Sequence, residues 1–436
     1  MNAPIATNER TDATDSQDGL TGVTELTGLT GVTTLDALDT ALQEHYRWFH
    51  RHPEPSYEEF ETTARIRRIL ESHGIEILDS GLKTGLVAII RGHGRGDGHG
   101  RGRDEDGASS PVIALRGDID GLPITENTGL AYASENPGLM HGCGHDFNLT
   151  VALGAAILLK RQADNDSLNG TVKVIFQPAE EGRATATRPT GAVQVIDTGV
   201  LDDVQAFFGT HDGPGEVGSI RIREGGVSGA VDKFQVTIHG KGSHAAEPDG
   251  GVDPILVLTH IVQGLQSIVG RNIDPAHPRV LSVTHIEAGS SWNVIPQDAF
   301  FEGTVRTTEP EDRALAKDRA IAIIENTAAA YGASADVEWF FGSPSVVNDP
   351  DWADFGRRVA LDEGLAVAVD RPQLSGEDFS YYLDKAPGLF VHIGAGDTGA
   401  AHGPTFRPDP AGIISGARFL AAIATRALDE WDAVRP

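Results

Sequence analysis

Five short segments place thiol, imidazole and carboxylate groups just beyond apolar runs. RGDIDGLP carries Asp118 and Asp120 after PVIAL, and MHGCGHD carries His141, Cys143, His145 and Asp146 ahead of a helical stretch. QPAEEG carries Glu180 and Glu181 after TVKVIF, His211 comes after QAFFG, and His402 lies in AHGPTF beyond LFVHIG. Taken singly, each has an ordinary explanation: a lone Cys is a small buried hydrophobe, a lone His a satisfied hydrogen-bonding group, adjacent glutamates a solvated turn. Gathered at one sheet edge, they would crowd costly polar groups together, and a metal ion resolves that cost. Thiolate, imidazole and carboxylate suit Zn²⁺, while imidazole with carboxylate also suits Mn²⁺ or Co²⁺.

Such residues need a scaffold that brings distant strand ends together. Strand-like runs (PVIAL, TVKVIF, QAFFG) alternate with helical stretches such as VALGAAILLK, which predicts an α/β fold: a mostly parallel sheet flanked by helices, with ligands gathered at the carboxyl ends of its strands. A first helix is expected from Leu35 to about His52. A second is expected to open on a capping box of Ser56 and Glu59 and to close at Gly74. From Ala230 the texture changes: Phe234, Val236 and Ile238 alternate with Lys233, Gln235 and Thr237, as in a half-exposed strand. Further strands near 279–287, 298–307 and 334–340 and helices near 253–269 and 311–331 complete a smaller α+β unit. The expected organisation is a disordered tail over 1–34, a metal-binding catalytic domain over 35–221 and 341–436, and an inserted lid or dimerisation domain over 222–340. The Gly-rich stretch 92–110 reads as an exposed insertion.

Composition narrows the function classes. With 35 Lys plus Arg against 63 Asp plus Glu the formal net charge is −28, which opposes binding to nucleic acid or anionic membranes. Cys143 is the sole cysteine, so an intramolecular disulfide is excluded. The N-terminus lacks a basic and then apolar leader, and the run Leu149 to Leu159 is too short for a bilayer, so a cytoplasmic protein is expected.

The motifs RGDIDGLP, MHGCGHD, FQPAEEG, GKGSHAAEP with DPI, SWNVIP, EGTVRT, SGEDF and AHGPTF resemble, in order and spacing, the two-metal amidohydrolases of the aminoacylase, hippurate hydrolase and indole-acetyl-amino-acid hydrolase type. The resemblance covers about residues 38 to 430. From GVSGAVDKFQV to EGTVRT the chain is especially similar to the branch that deacylates N-acetylated cysteine. The resemblance implies that Cys143, His145, Glu181, His211 and His402 bind two divalent metals (Zn, Mn or Co). It places Glu180 as general base and Asp120 as the group orienting a neighbouring ligand. Asp118 stands where some relatives carry a ligand His, and Asp212 where Asn is frequent. His244 matches the donor to the tetrahedral oxyanion, Asn293 and Arg306 match positions near the substrate carboxylate, and Glu377 matches a family position without an assigned role. A strand Arg in an interdomain salt bridge is the competing role for Arg306.

The implied reaction is metal-dependent hydrolysis of the amide bond of N-acyl amino acids. The implied assembly is a homodimer through the inserted domain, in which His244 serves the partner's site. A dipeptidase or carboxypeptidase of the same fold, and a non-catalytic binder of amino-acid conjugates, are the alternatives. Glu180 speaks against the binder, which has no need of a base beside the metal.

Overall fold

The computed structural model describes residues 34–92, 110–182 and 188–434. The expected 1–34 tail and 92–110 insertion lie almost wholly outside the described residues. Successive residues of the central strands point to opposite faces, and both faces are apolar. Ile113, Leu115, Val172, Val174, Phe176, Phe208 and Val391 enter one core, whereas Ala114, Ile175, Phe207 and Phe390 enter the other. A strand buried on both sides reads as a continuous apolar run, as observed here.

The resulting sheet has eight strands in the order Glu76–Ile77, Leu86–Arg91, Thr171–Gln177, Val112–Asp118, Ala206–Gly213, Gly388–Gly394, Ile220–Ile222 and Val367–Val369. The four central strands run parallel, so their carboxyl ends (Gln177, Asp118, Gly213 and Gly394) share one edge. The sheet is mostly parallel, as expected, with antiparallel pairs toward its flanks. Leu86–Arg91 pairs antiparallel with Thr171–Gln177, as does Ile220–Ile222 with Gly388–Gly394. These strands follow short connections or carry only three residues, too little pattern to show direction.

Helices Leu35–Arg51, His145–Asp164, Pro350–Asp362 and Ile413–Asp429 cover one face, and the short helices Gly191–Asp197 and Ser380–Leu383 the other. His145–Asp164 is buried on nearly every side through its first 13 residues, the mark of a central helix. Ile413–Asp429 packs against it. By length and composition the segment Pro410–Asp429 could cross a bilayer, but most of it is buried in this core. The second predicted helix runs Phe60–Ser72, without the expected capping box. Its first amides are taken by Glu54, whose two carboxylate oxygens accept from Glu61 N at 3.0 Å and Thr62 N at 2.8 Å. Ser56 and Glu59 are thereby left for other work.

A second, four-stranded antiparallel sheet has the order Arg279–Ala288, Asp298–Thr307, Ala230–His239, Ser334–Phe341. Its inner face (Phe234, Val236, Ile238, Phe301, Val305) packs against helices Pro254–Ser267 and Pro310–Ala330 through Val257, Ile261, Leu265, Ala320 and Ile324, forming a core of its own.

Close helix packing on the large sheet relies on Gly154, where an added Cβ would lie 2.7 Å from Ala417 Cβ and 2.8 Å from Leu42 Cδ1. Gly154→Val is expected to overpack this contact and destabilise the fold by roughly 1–3 kcal/mol, read as a lowered urea midpoint.

Candidate metal centre

The shared edge of the parallel strands gathers the polar segments. Asp118 ends its strand, the loop beyond it supplies Asp120, and Cys143 and His145 stand at the start of the central helix. Glu180 and Glu181 follow Thr171–Gln177, His211 lies within Ala206–Gly213, and His402 follows Gly388–Gly394. Potential ligand atoms form overlapping groups within 4.8 Å: Cys143, His145 and His211; Cys143, Glu181 and His402; His145, Glu180 and Glu181; and Asp118, His211 and Glu377. Cys143 belongs to two of these sets. Its Sγ lies 3.7 Å from His211 Nε2, and His402 Nε2 lies 2.9 Å from Glu181 Oε1.

Two observations test whether the donors fit a cation. Buried His145 directs Nδ1 to Asp120 Oδ1 at 3.1 Å, leaving Nε2 buried with no hydrogen-bond partner among the described residues. A metal-binding imidazole has this arrangement, one nitrogen oriented by a carboxylate and the other free to ligate. The electrostatics agree. Burial disfavours protonated His145, yet Asp118, Asp120 and Cys143 hold its pKa well above the ordinary value. Hydrogen bonds to Cys143 and Glu181 raise His402 to about 10. Burial pushes the Cys143 thiol up, but three imidazoles bring it down to about 7. The anionic groups demand positive charge, which protons or a divalent ion can supply.

Asp120 is the hub of the turn beside this cluster. Oδ1 accepts from Glu180 N and Oδ2 from Glu181 N, each at 3.1 Å, while Ser56 Oγ donates to Oδ2 at 2.6 Å. Glu180 Oε2 lies 3.9 Å from His145 Nε2, and Oε1 accepts from Asp378 N at 3.4 Å. Burial, then Glu377 and Asp378, push the Glu180 pKa well above the usual carboxylate range.

Arg116 was not among the residues expected from sequence. Fully buried, it donates to Gln177 Oε1 (3.0 Å), Asp118 Oδ2 (2.6 Å), Glu377 Oε1 (2.9 Å) and Asp378 Oδ1 (3.1 Å). A lone Arg inside the run IALRGD was the available signal. Asp118 also accepts from Asn148 Nδ2 at 2.9 Å and lies 3.7 Å from His145 Nε2, so its carboxylate is largely engaged. Asp212 is buried, its N donating to Asn148 Oδ1 and its carboxylate 3.3 Å from His211 Nδ1.

Residues 114–426 match peptidase family M20/M25/M40. The chain belongs to this family. It is 43% identical over 384 residues to an N-acetyl-L-cysteine deacetylase of Bacillus subtilis, covering 88% of this chain and 87% of that protein. It is 35% identical over 351 residues to thermostable carboxypeptidase 1 of Saccharolobus solfataricus, covering 80% and 84%. Among solved structures, a dinuclear metal-binding peptidase of the M20 family from Bacillus subtilis aligns with a TM-score of 0.78 and 39% identity, over 90% of this chain and 99% of that one.

In this M20 chain the remaining predicted site residues lie on the second sheet and its ribbon. His244 is exposed on a two-stranded ribbon (Ser243–His244 with Val294–Ile295), where Nδ1 accepts from Ala246 N and Asn293 O accepts from Ala245 N. Arg306, half-buried on Asp298–Thr307, donates from Nε to Thr304 Oγ1 and makes no ion pair among the described residues, so the competing salt-bridge role is not observed. The hydrogen bonds described for all three stay within the second sheet and its ribbon.

Behind the cluster, buried His50 bonds through Nδ1 to Asp146 Oδ2 at 2.6 Å and lies 3.3 Å from Glu126 Oε1 through Nε2. Burial disfavours its charged form, but Asp146 and Glu126 prevail and raise its pKa from 6.5 to about 9. A raised folded-state pKa contributes stability that is fully present below pH 6.5 and lost as pH rises through about 9. His50→Asn is expected to remove a pH-dependent contribution of about 3 kcal/mol, seen by comparing urea unfolding on either side of that window.

Proposed function

We propose that this chain is a metal-dependent hydrolase of N-acyl amino acids, releasing a free amino acid and a carboxylic acid. The observation that carries this is Glu180, a half-buried carboxylate in one donor group with His145 and Glu181, beside the sets that share Cys143. The donors fit two divalent ions, with Cys143, His145, Glu181, His211 and His402 as ligands. When bound, such ions polarise an amide carbonyl and bring water's pKa toward neutrality. Glu180 then takes the water proton at Oε2 and returns it to the leaving amine, while the Asp378 amide steadies Oε1. Asp120 fixes both the His145 ring and the backbone that carries Glu180. His244 donates to the tetrahedral oxyanion, and Asn293 and Arg306 receive the substrate carboxylate, Arg306 as a bidentate fork. The greater identity to the deacetylase than to the carboxypeptidase favours a simple acyl group over one that carries a free amine at the acyl end.

Because the hydrogen bonds described for His244 and Asn293 stay within the ribbon and none joins the cluster, we also propose a homodimer in which each site borrows them. Among the described residues, strand Arg279–Ala288 is a sheet edge with no partner on its outer side. Apolar side chains are exposed on this strand, the helix Pro254–Ser267 and the nearby ribbon: Ile255, Leu256, Ile286, Val294 and Trp292, the last 94% exposed.

Release of amino acid from a panel of N-acetyl, N-benzoyl and indole-acetyl amino acids and matching dipeptides tests the chemistry. Turnover is expected to vanish on chelation, return with Zn²⁺, Mn²⁺ or Co²⁺, and fall by about 10²–10⁴ in Glu180→Gln. Preference for dipeptides would make the chain a peptidase, and ligand affinity that persists after chelation without turnover would make it a binder. A second assay tests the dimer. His244→Ala alone is expected to lose about 10²–10³ in kcat. Mixing it with Glu180→Gln is expected to restore about a quarter of wild-type activity, since half the dimers are mixed and hold one complete site. No recovery would place His244 in its own chain's site.

A further inference from the structure

Four non-glycine residues among those described have left-handed backbone: Tyr57 (φ 70°), Asp166 (φ 57°), Ala179 (φ 50°) and His402 (φ 61°). Tyr57 and Ala179, far apart in sequence, send their amides to the same atom. Glu59 Oε1 accepts from Tyr57 N at 3.0 Å and from Ala179 N at 2.7 Å. Both Glu59 and Ala179 are fully buried. Ala179 immediately precedes Glu180 and Glu181, whose amides go to Asp120, so three successive amides are held by two carboxylates. On its other side Ala179 O accepts from Gly191 N at 3.0 Å, and a Cβ on Gly191 would fall 1.5 Å from Pro178 O. A left-handed alanine persists only where its surroundings over-determine it, and here the determining atom is Glu59 Oε1.

We propose that Glu59 is a positioning residue that sets the Glu180–Glu181 turn, so that one backbone strain aims both carboxylates at the donor cluster. Its effect on turnover rests on the hydrolase function proposed above, whereas its effect on metal affinity does not. The working feature is an acceptor oxygen at this position, which distinguishes it from a buried charge or a space-filling group.

The variants Glu59→Gln, which keeps the acceptor, and Glu59→Leu, which removes it at similar size, form the test. Each is compared with wild type by thermal melting, by calorimetric titration of the metal-stripped protein with Mn²⁺, and by kcat and KM. Glu59→Gln is expected to stay within about threefold of wild type in kcat and metal affinity. Glu59→Leu is expected to lose about tenfold or more in both, with KM within about twofold, because the substrate's binding groups are untouched. Wild-type metal affinity and kcat in Glu59→Leu would overturn the proposal, as would equal losses in the two variants. If Glu59→Leu does not fold, Glu59→Asp, which withdraws the acceptor by one methylene, is expected to show the same loss, and its retention of wild-type behaviour would overturn the proposal. If wild type hydrolyses none of the amides, the titration decides alone: weaker Mn²⁺ binding in Glu59→Leu than in Glu59→Gln upholds it, and equal binding overturns it.

Discussion

Burying several carboxylates side by side is the constraint around which this molecule is built, and Arg116 is the group that makes it possible. An ionised carboxylate taken out of water is costly unless a counter-charge and hydrogen bonds meet it. Arg116 meets three of them, Asp118, Glu377 and Asp378, through one planar guanidinium. Gln177 holds the guanidinium from one side and reaches Asp378 from the other, at 2.8 Å. Because Arg116, Asp118 and Gln177 belong to adjacent parallel strands while Glu377 and Asp378 come from a segment far along the chain, the network ties sheet register to the approach of that segment. The Asp378 amide that faces Glu180 owes its place to this tie. Stability is not the chief return, since a buried ion network roughly balances desolvation against attraction; the return is a defined arrangement.

The donor set was legible because apolar strands that end repeatedly in Cys, His and carboxylate leave few physical explanations, and the parallel sheet puts those ends at one edge. The small antiparallel unit was equally legible: alternation through VDKFQVTIH gives strand and face at once, and the observed Ala230–His239 keeps Phe234, Val236 and Ile238 inward. What escaped had local patterns with two solutions. Ser56 and Glu59 have the spacing of a capping box, but spacing does not say whether another carboxylate will reach the helix first, and Glu54 does. Arg116 escaped because its partners Glu377 and Asp378 are remote in sequence and nothing local announces them. The antiparallel flanks escaped because a three-residue strand such as Ile220–Ile222 has no direction in its pattern. His244, Asn293 and Arg306 are a different matter, since the hydrogen bonds described for them stay within the second sheet and its ribbon and none joins the donor cluster.

The donor cluster is supported unevenly. His145 is buried at the start of the central helix and fixed by Asp120, whereas His402 sits in a loop, half-exposed, on left-handed backbone, anchored by its amide to Gly142 O at 2.8 Å. Gly142 belongs to the same short segment as Cys143 and His145, so the C-terminal loop is registered directly against the helix that carries the innermost donors. Burial thus grades outward, from an enclosed imidazole with one free nitrogen to an exposed one held by its amide and by Glu181.

Strand Gly388–Gly394 enters the middle of the large sheet, between Ala206–Gly213 and Ile220–Ile222, after the chain has built the entire second sheet. A nascent chain emerging from the ribosome therefore carries most of its donors long before the slot beside them is filled. Until that strand inserts, His402 is absent and the Ala206–Gly213 edge is unpaired, a surface prone to wrong partners. Closing the slot pairs residues distant in sequence, a slow event in folding. Completion of the cluster is thus coupled to synthesis of the segment that holds Gly388–Gly394 and His402: a polypeptide truncated or stalled before it lacks one member of the cluster and leaves the sheet's slot open.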